Sequence, residues 1–293
     1  MTKKSVSEKK GLFTSIIDTL ISDSDITCKL EAIQIIKREF GGIIECVVEG
    51  YCNFCDCGAP DFLVLSKSLC RYAGEIDPEV FQLLINEELI DLETCKVLLF
   101  GMVKLLPFDS GFTKDSSYNT KFLATLSIMI DHMKTLTDES LDDIQLYEQA
   151  GMTGKIEKNY TSNIMTRAYC STQYMSFESD FVQDLIIFLL DKGCSNGSMI
   201  GWECVDEEDD KKVSLVSYAI ENCWMRVLNF IEKEHSIIEM VSDYRIHLNK
   251  FKETIDYWKR ETEDGKTLYE LYHSDADKKY IELEKFLIQC SST

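Results

Sequence analysis

The segment Cys52-Asn53-Phe54-Cys55-Asp56-Cys57, with Cys46 shortly before it, gathers four of the chain's 12 cysteines into one short stretch. Cys52 and Cys55 have the C-x-x-C spacing with which two thiolates hold one zinc ion. A structural zinc site takes a second such pair at longer range. Cys57 follows Cys55 too closely to form one, and no histidine lies nearby. The stretch is therefore read as loop cysteines, and no metal ion or other cofactor is expected. Cys170 and Cys223 fall at the ends of expected helices, where a thiol is open to activation, yet neither has a partnered base. The histidines, His132, His235, His247 and His273, are dispersed, and none has metal-ligand spacing to another histidine or a cysteine. Phosphate-binding glycine loops and the G-x-S-x-G turn are absent. No catalytic residue is assigned. The chain is expected to act by binding, the alternative being an enzyme whose site is built by inserted segments on a helical scaffold.

Two features suit contact with a partner. Trp202 stands in an expected loop tip, and tryptophan leads interface hot spots. The run Glu207-Glu208-Asp209-Asp210 follows in the same loop; such runs are usually solvated, and the functional reading is an electrostatic contact for a basic protein partner. The whole chain has the same sign, since 51 acidic against 31 basic residues give a formal net charge of −20 and a pI near 4.6. Such a field repels phosphate backbones and anionic lipid, so nucleic acid and bare membrane are not expected partners. The longest apolar runs, such as Leu185–Leu190, are far shorter than the ~20 residues that span a bilayer, and no membrane insertion is expected. The N-terminal stretch has no continuous apolar run with a small-residue cleavage site. A cytoplasmic or intracellular location with mostly reduced thiols is expected.

These residues need a scaffold, and composition makes it helical. Hydrophobic residues make up 45% and aromatics 11%, enough for a substantial core, while 14 glycines and 3 prolines are too few for a turn-rich β fold. Within Lys212–Lys233, Trp224, Val227, Leu228 and Ile231 fall at i, i+3, i+4 and i+7 and form one apolar stripe. Leu215, Val216, Ala219 and Ile220 give a shorter stripe before it, and the chain turns at Glu221-Asn222. Helices this short need neighbours of the same kind. Further pairs are read at Leu63–Ala73 with Pro78–Glu87, Cys95–Leu106 with Phe122–Met133, Ser162–Ser171 with Asp180–Lys192, and from Lys266 to Gln289. Units thus start near Leu63, Cys95, Ser162, Val213 and Lys266, with insertions near 108–119, 134–160 and 241–261. An extra helix is expected at Leu141–Ala150. Helices at Leu12–Ile21, Cys28–Phe40 and Ile43–Val48 form an N-terminal helical cap over residues 1–58, leaving 59–293 as the array.

Leu189-Leu190-Asp191-Lys192-Gly193-Cys194-Ser195-Asn196 resembles the ankyrin-repeat ending L-L-x-x-G-A-D-x-N, with Gly193 at the helix C′ position. Asp264-Gly265-Lys266-Thr267-Leu268 resembles the D-G-x-T-P-L opening except for its proline. Ser217-Tyr218-Ala219 and Glu221-Asn222 sit where the pattern has its inner-helix alanine and Asn-Gly turn, with Cys223 in place of the turn glycine. The resemblance implies an all-α solenoid of five divergent ankyrin-like helix-turn-helix repeats. It also implies a non-catalytic protein-protein interaction module that presents loop tips and inner helices. Arrays this interrupted are familiar from effectors of intracellular bacteria, protists and large DNA viruses, so an effector delivered into a host cell, binding a host or cellular protein, is the expectation.

Overall fold

The computed structural model describes residues 5–51, 60–105, 116–149, 156–157, 164–165, 168, 180–194, 214–233, 235–241, 243–263 and 265–292. Among them the chain is mostly helical, with thirteen helices and three two-stranded hairpins. No helix among the described residues is long and apolar enough to cross a membrane. The chain divides into two units, residues 1–176 and 177–293.

In the first unit, α1 (Val6–Ile21) starts earlier than its apolar pattern because a capping box precedes it: the Ser5 hydroxyl accepts from the Glu8 N–H, and the Glu8 carboxylate accepts from the Ser5 N–H. Phe13, Ile16, Ile17 and Leu20 form its buried stripe. α2 (Ile26–Glu39) is capped by Asp25, whose side chain accepts from the N–H groups of Thr27 and Cys28, and it buries Ala32, Ile33 and Ile36. The short helix expected over Ile43–Val48 does not form. The chain bends there and enters β1 (Val47–Tyr51), which pairs antiparallel with β2 (Pro60–Val64), Val47 opposite Val64 and Tyr51 opposite Pro60. Two successive valines prefer a strand, and β2 supplies its pairing partner.

β2 runs directly into α3 (Leu65–Arg71), followed by α4 (Pro78–Asn86), α5 (Leu92–Leu105) and α6 (Ser116–Leu136). α4 is capped by Asp77 with Pro78 in its first turn, as the sequence suggests. Packing among these helices alternates. α1 lies on α3 and α3 on α5, whereas α2 lies on α4 and α4 on α6. α1 and α2 pack on each other, as do α5 and α6. The helix expected over Leu141–Ala150 does not form in the described part, residues 141–149. A turn at 141–143 leads through irregular chain to β3 (Glu148–Gln149), which pairs with β4 (Ile156–Glu157). The segment buries Leu141, Ile144 and Leu146, and β3 packs on α5. Of the helix expected over Ser162–Ser171, only Ile164, Met165 and Ala168 are described; they are helical and buried.

The second unit contains α7 (Asp180–Asp191), α8 (Leu215–Glu221), α9 (Met225–Glu232), α10 (Ile237–Met240), α11 (Tyr244–Arg260), β5 (Thr262–Glu263), β6 (Lys266–Thr267), α12 (Leu268–Tyr272) and α13 (Ala276–Cys290). α9 packs on both α7 and α8, and α11 packs on α8, α12 and α13. Trp224 is the N-cap residue of α9 and so lies just outside the helix that its spacing joins. It is buried against Tyr218, edge to face with ring centroids 5.1 Å apart.

Three helices end in the same way. At the ends of α4, α7 and α8, residues Glu88, Gly193 and Cys223 take φ of +58°, +97° and +52°. Leu89, Cys194 and Trp224 then donate their N–H groups to the carbonyls of Leu84, Leu189 and Ala219, at 3.0, 3.0 and 2.8 Å. This is the Schellman geometry, and in each case the residues joined by the closing bond are both buried.

Candidate functional site

Trp202 and the acidic run Glu207-Glu208-Asp209-Asp210 lie outside the described residues, as do Cys52, Cys55, Cys57 and Cys170. Cys46 is described and is separated from the cysteine loop. It is fully buried at the base of β1, and burial pushes its thiol up to about 12. The strand carries the chain roughly 16 Å from Cys46 to Tyr51 before that loop begins. Cys46 is a core residue.

Three further thiols, Cys70, Cys95 and Cys223, are equally inert. Cys223, a candidate for activation because it ends a helix, is half-buried, and its Sγ donates to the Lys279 carbonyl at 3.6 Å. Burial pushes its thiol, and that of Cys95, up to about 12. The same cause raises Cys70, whose Sγ donates to the Leu98 carbonyl at 3.3 Å. Such groups stay protonated at neutral pH and pack as small apolar side chains.

Three of the four histidines serve separate contacts. His132 Nε2 lies 2.8 Å from the Ile90 carbonyl oxygen, tying α6 to the segment after α4. His273 stacks on Trp258 with centroids 3.7 Å apart. His247 Nδ1 and Lys250 Nζ both lie 2.6 Å from Glu221 Oε1, joining α11 to the end of α8. Burial alone would raise the Glu221 carboxyl, but hydrogen bonds from His247 and Lys250 outweigh it and hold the group below its ordinary value. A glutamate held ionised between two donors is a poor general base. Its geometry instead suits fastening two helices.

A groove in the first unit has a different character. It holds about 250 Å³ between the α1–α2 turn with the start of α2 and the start of α4. Its walls carry Asp23 and Lys29 on one side and Asp77 and Glu79 on the other, and Ile26 and Leu83 supply a smaller apolar share, Val80 beneath them being fully buried. Asp25, beside it, and Asp77 are committed to capping their helices. Ile26 is 49% exposed, a large apolar side chain left open at a helix start. The sequence marks both helix starts, through Ser-Asp-Ser-Asp and Asp-Pro-Glu, but nothing in either stretch says that they face each other. No family model matches the chain, and comparison with curated proteins and with solved structures finds no similar protein.

Proposed function

We propose that this protein is a non-catalytic protein-protein interaction module, built as a divergent ankyrin-like array, that binds a basic region of a cellular or host protein. The observation that carries this reading is the alternation of packing in the first unit, first helix on first and second on second over three successive pairs. Such rows bring the α1–α2 turn beside the end of the α3–α4 turn, where a partner reads both at once. Two local features support the ankyrin likeness. Gly193 and Cys223 have the left-handed backbone at positions where the likeness puts glycine. Ser214 and Thr267 cap α8 and α12 from the position of its threonine. Trp202 and Glu207–Asp210 are the proposed contact residues, and the net charge of −20 gives the partner its sign.

The test is affinity capture with the full chain, followed by reconstitution of any captured protein in pure form. A direct complex is expected to weaken at least about tenfold when Trp202→Ala is combined with amide replacements at Glu207–Asp210, and to weaken in high salt. Direct binding that ignores both changes removes these residues from the interface. Absence of any direct protein complex, with turnover of a small molecule in its place, overturns the module itself.

A further inference from the structure

Among the described residues eight large apolar side chains are exposed, and six of them fall between residues 246 and 288. The stretch 244–290 holds nine basic and ten acidic residues, so nearly all of the net −20 lies elsewhere in the chain. A protein of the same sign meets little local repulsion there. We propose that α13 pairs antiparallel with α13 of a second copy of this chain, Ile281 of each copy lying against Ile288 of the other. This contact is separate from the capture of a basic partner and goes beyond it.

The self-complementarity is written along one face of α13. Ile281 and Ile288 are 48% and 51% exposed, and a spacing of seven puts them only about 20° apart around the helix. The buried residues of α13, Ala276, Leu283 and Leu287, take the other side. Glu284 and Lys285 flank the stripe between the two isoleucines, and neither has an ion-pair partner among the described residues. The neighbouring charges are already matched, Lys278 with Glu282 at 3.8 Å and Asp277 with Lys259 at 2.8 Å. A two-fold axis between positions 284 and 285 sets Ile281 opposite the second copy's Ile288 and Glu284 opposite the second copy's Lys285, each contact occurring twice. A parallel pairing would instead set Glu284 against Glu284 and Lys285 against Lys285, so the charges select the antiparallel one. Two isoleucines per copy along about 10 Å of helix make a small interface, of the class that associates weakly and reversibly.

Sedimentation equilibrium of the full-length protein tests this, at concentrations up to about 1 mM to reach a weak association. A monomer–dimer equilibrium is expected that tightens at least about threefold from 0.05 to 0.5 M salt, because screening lowers the repulsion between two chains of −20. Capture of a basic partner should move the other way. Ile281→Ser/Ile288→Ser should weaken the dimer at least about tenfold. Both isoleucines are exposed, so the helical circular dichroism of this variant should match that of the parent. Glu284→Lys is the sharper probe. It lowers the net negative charge, which by itself favours association, yet it faces lysine with lysine across the axis and should weaken the dimer at least about threefold. Glu284→Lys/Lys285→Glu restores both the pairing and the net charge, and should restore the affinity. A chain that stays monomeric throughout overturns the proposal and leaves the reading as an interaction module standing. Self-association that ignores the isoleucine changes, or tightens with Glu284→Lys, also overturns it.

Discussion

Glu88, Gly193 and Cys223 occupy one backbone position in three helices, and only one of them is the residue that the position favours. A side chain at positive φ brings Cβ against the neighbouring carbonyl, at a cost of about 1–2 kcal/mol that glycine avoids. At Gly193 a Cβ would meet nothing within 4 Å, so the cost of Gly193→Ala is purely conformational. It should destabilise the protein by about 1 kcal/mol. Glu88 is exposed, so Glu88→Gly removes little contact and should stabilise by roughly 0.5–1 kcal/mol. Both changes are read from urea unfolding as a shift in midpoint at unchanged slope. The opposite signs are the decisive part, since loss of ordinary packing would destabilise in both. Cys223→Gly is a less clean probe because it also removes the Sγ contact to the Lys279 carbonyl.

At the scale of elements, the approach of α3 to α5 depends on one small residue. Gly101 lies within α5, where glycine costs about 1 kcal/mol relative to alanine. A Cβ there would sit 2.6 Å from the Sγ of Cys70, a buried side chain on α3. The overlap outweighs the propensity gain, so Gly101→Ala should lose about 1–2 kcal/mol. Combining it with Cys70→Ala should recover much of that loss, giving a favourable coupling in a double-mutant cycle. Additive losses would mean that the two helices do not touch at this point. This kind of contact was not legible in the sequence, because it depends on which helix faces which. What was legible is the local pattern. The stripe at Val227, Leu228 and Ile231, the turn after Glu221 and the Gly193 helix end all follow from spacing and end residues. The helix expected over Leu141–Ala150 does not form in the described residues 141–149, for a physical reason. Leu141 and Ile144 are spaced i, i+3 as on a helix, but Leu146 would fall on the opposite face, and the irregular chain buries all three, with Tyr147 carried over the Lys96 ammonium at 5.4 Å. The groove was opaque for a related reason. Asp23 and Glu79 each look like ordinary helix-start acids, and only the contact of α2 with α4 makes them opposite walls.

For the whole molecule the governing quantity is charge. A net −20 at neutral pH means that each folded unit holds like charges closer together than an expanded chain does. The ion pairs that oppose this are mostly exposed, such as Lys259 with Asp277 at 2.8 Å and Lys279 with Asp275 at 3.2 Å. Exposed pairs contribute about 0–1 kcal/mol each and are themselves screened by salt. Repulsion summed over a net charge of −20 should therefore be the larger electrostatic effect. Raising sodium chloride from 0.01 to 0.5 M shortens the screening length from about 30 Å to below 10 Å, which removes the long-range repulsion and leaves short contacts partly intact. The melting midpoint is expected to rise by about 3–6 °C over that range, followed by circular dichroism at 222 nm. A fall in the midpoint would show that local pairs outweigh the net field. The same screening should weaken capture of a basic partner, so stability and binding are predicted to move in opposite directions with salt. That opposition separates an electrostatic docking surface from a general loss of structure, which would drive both downward together.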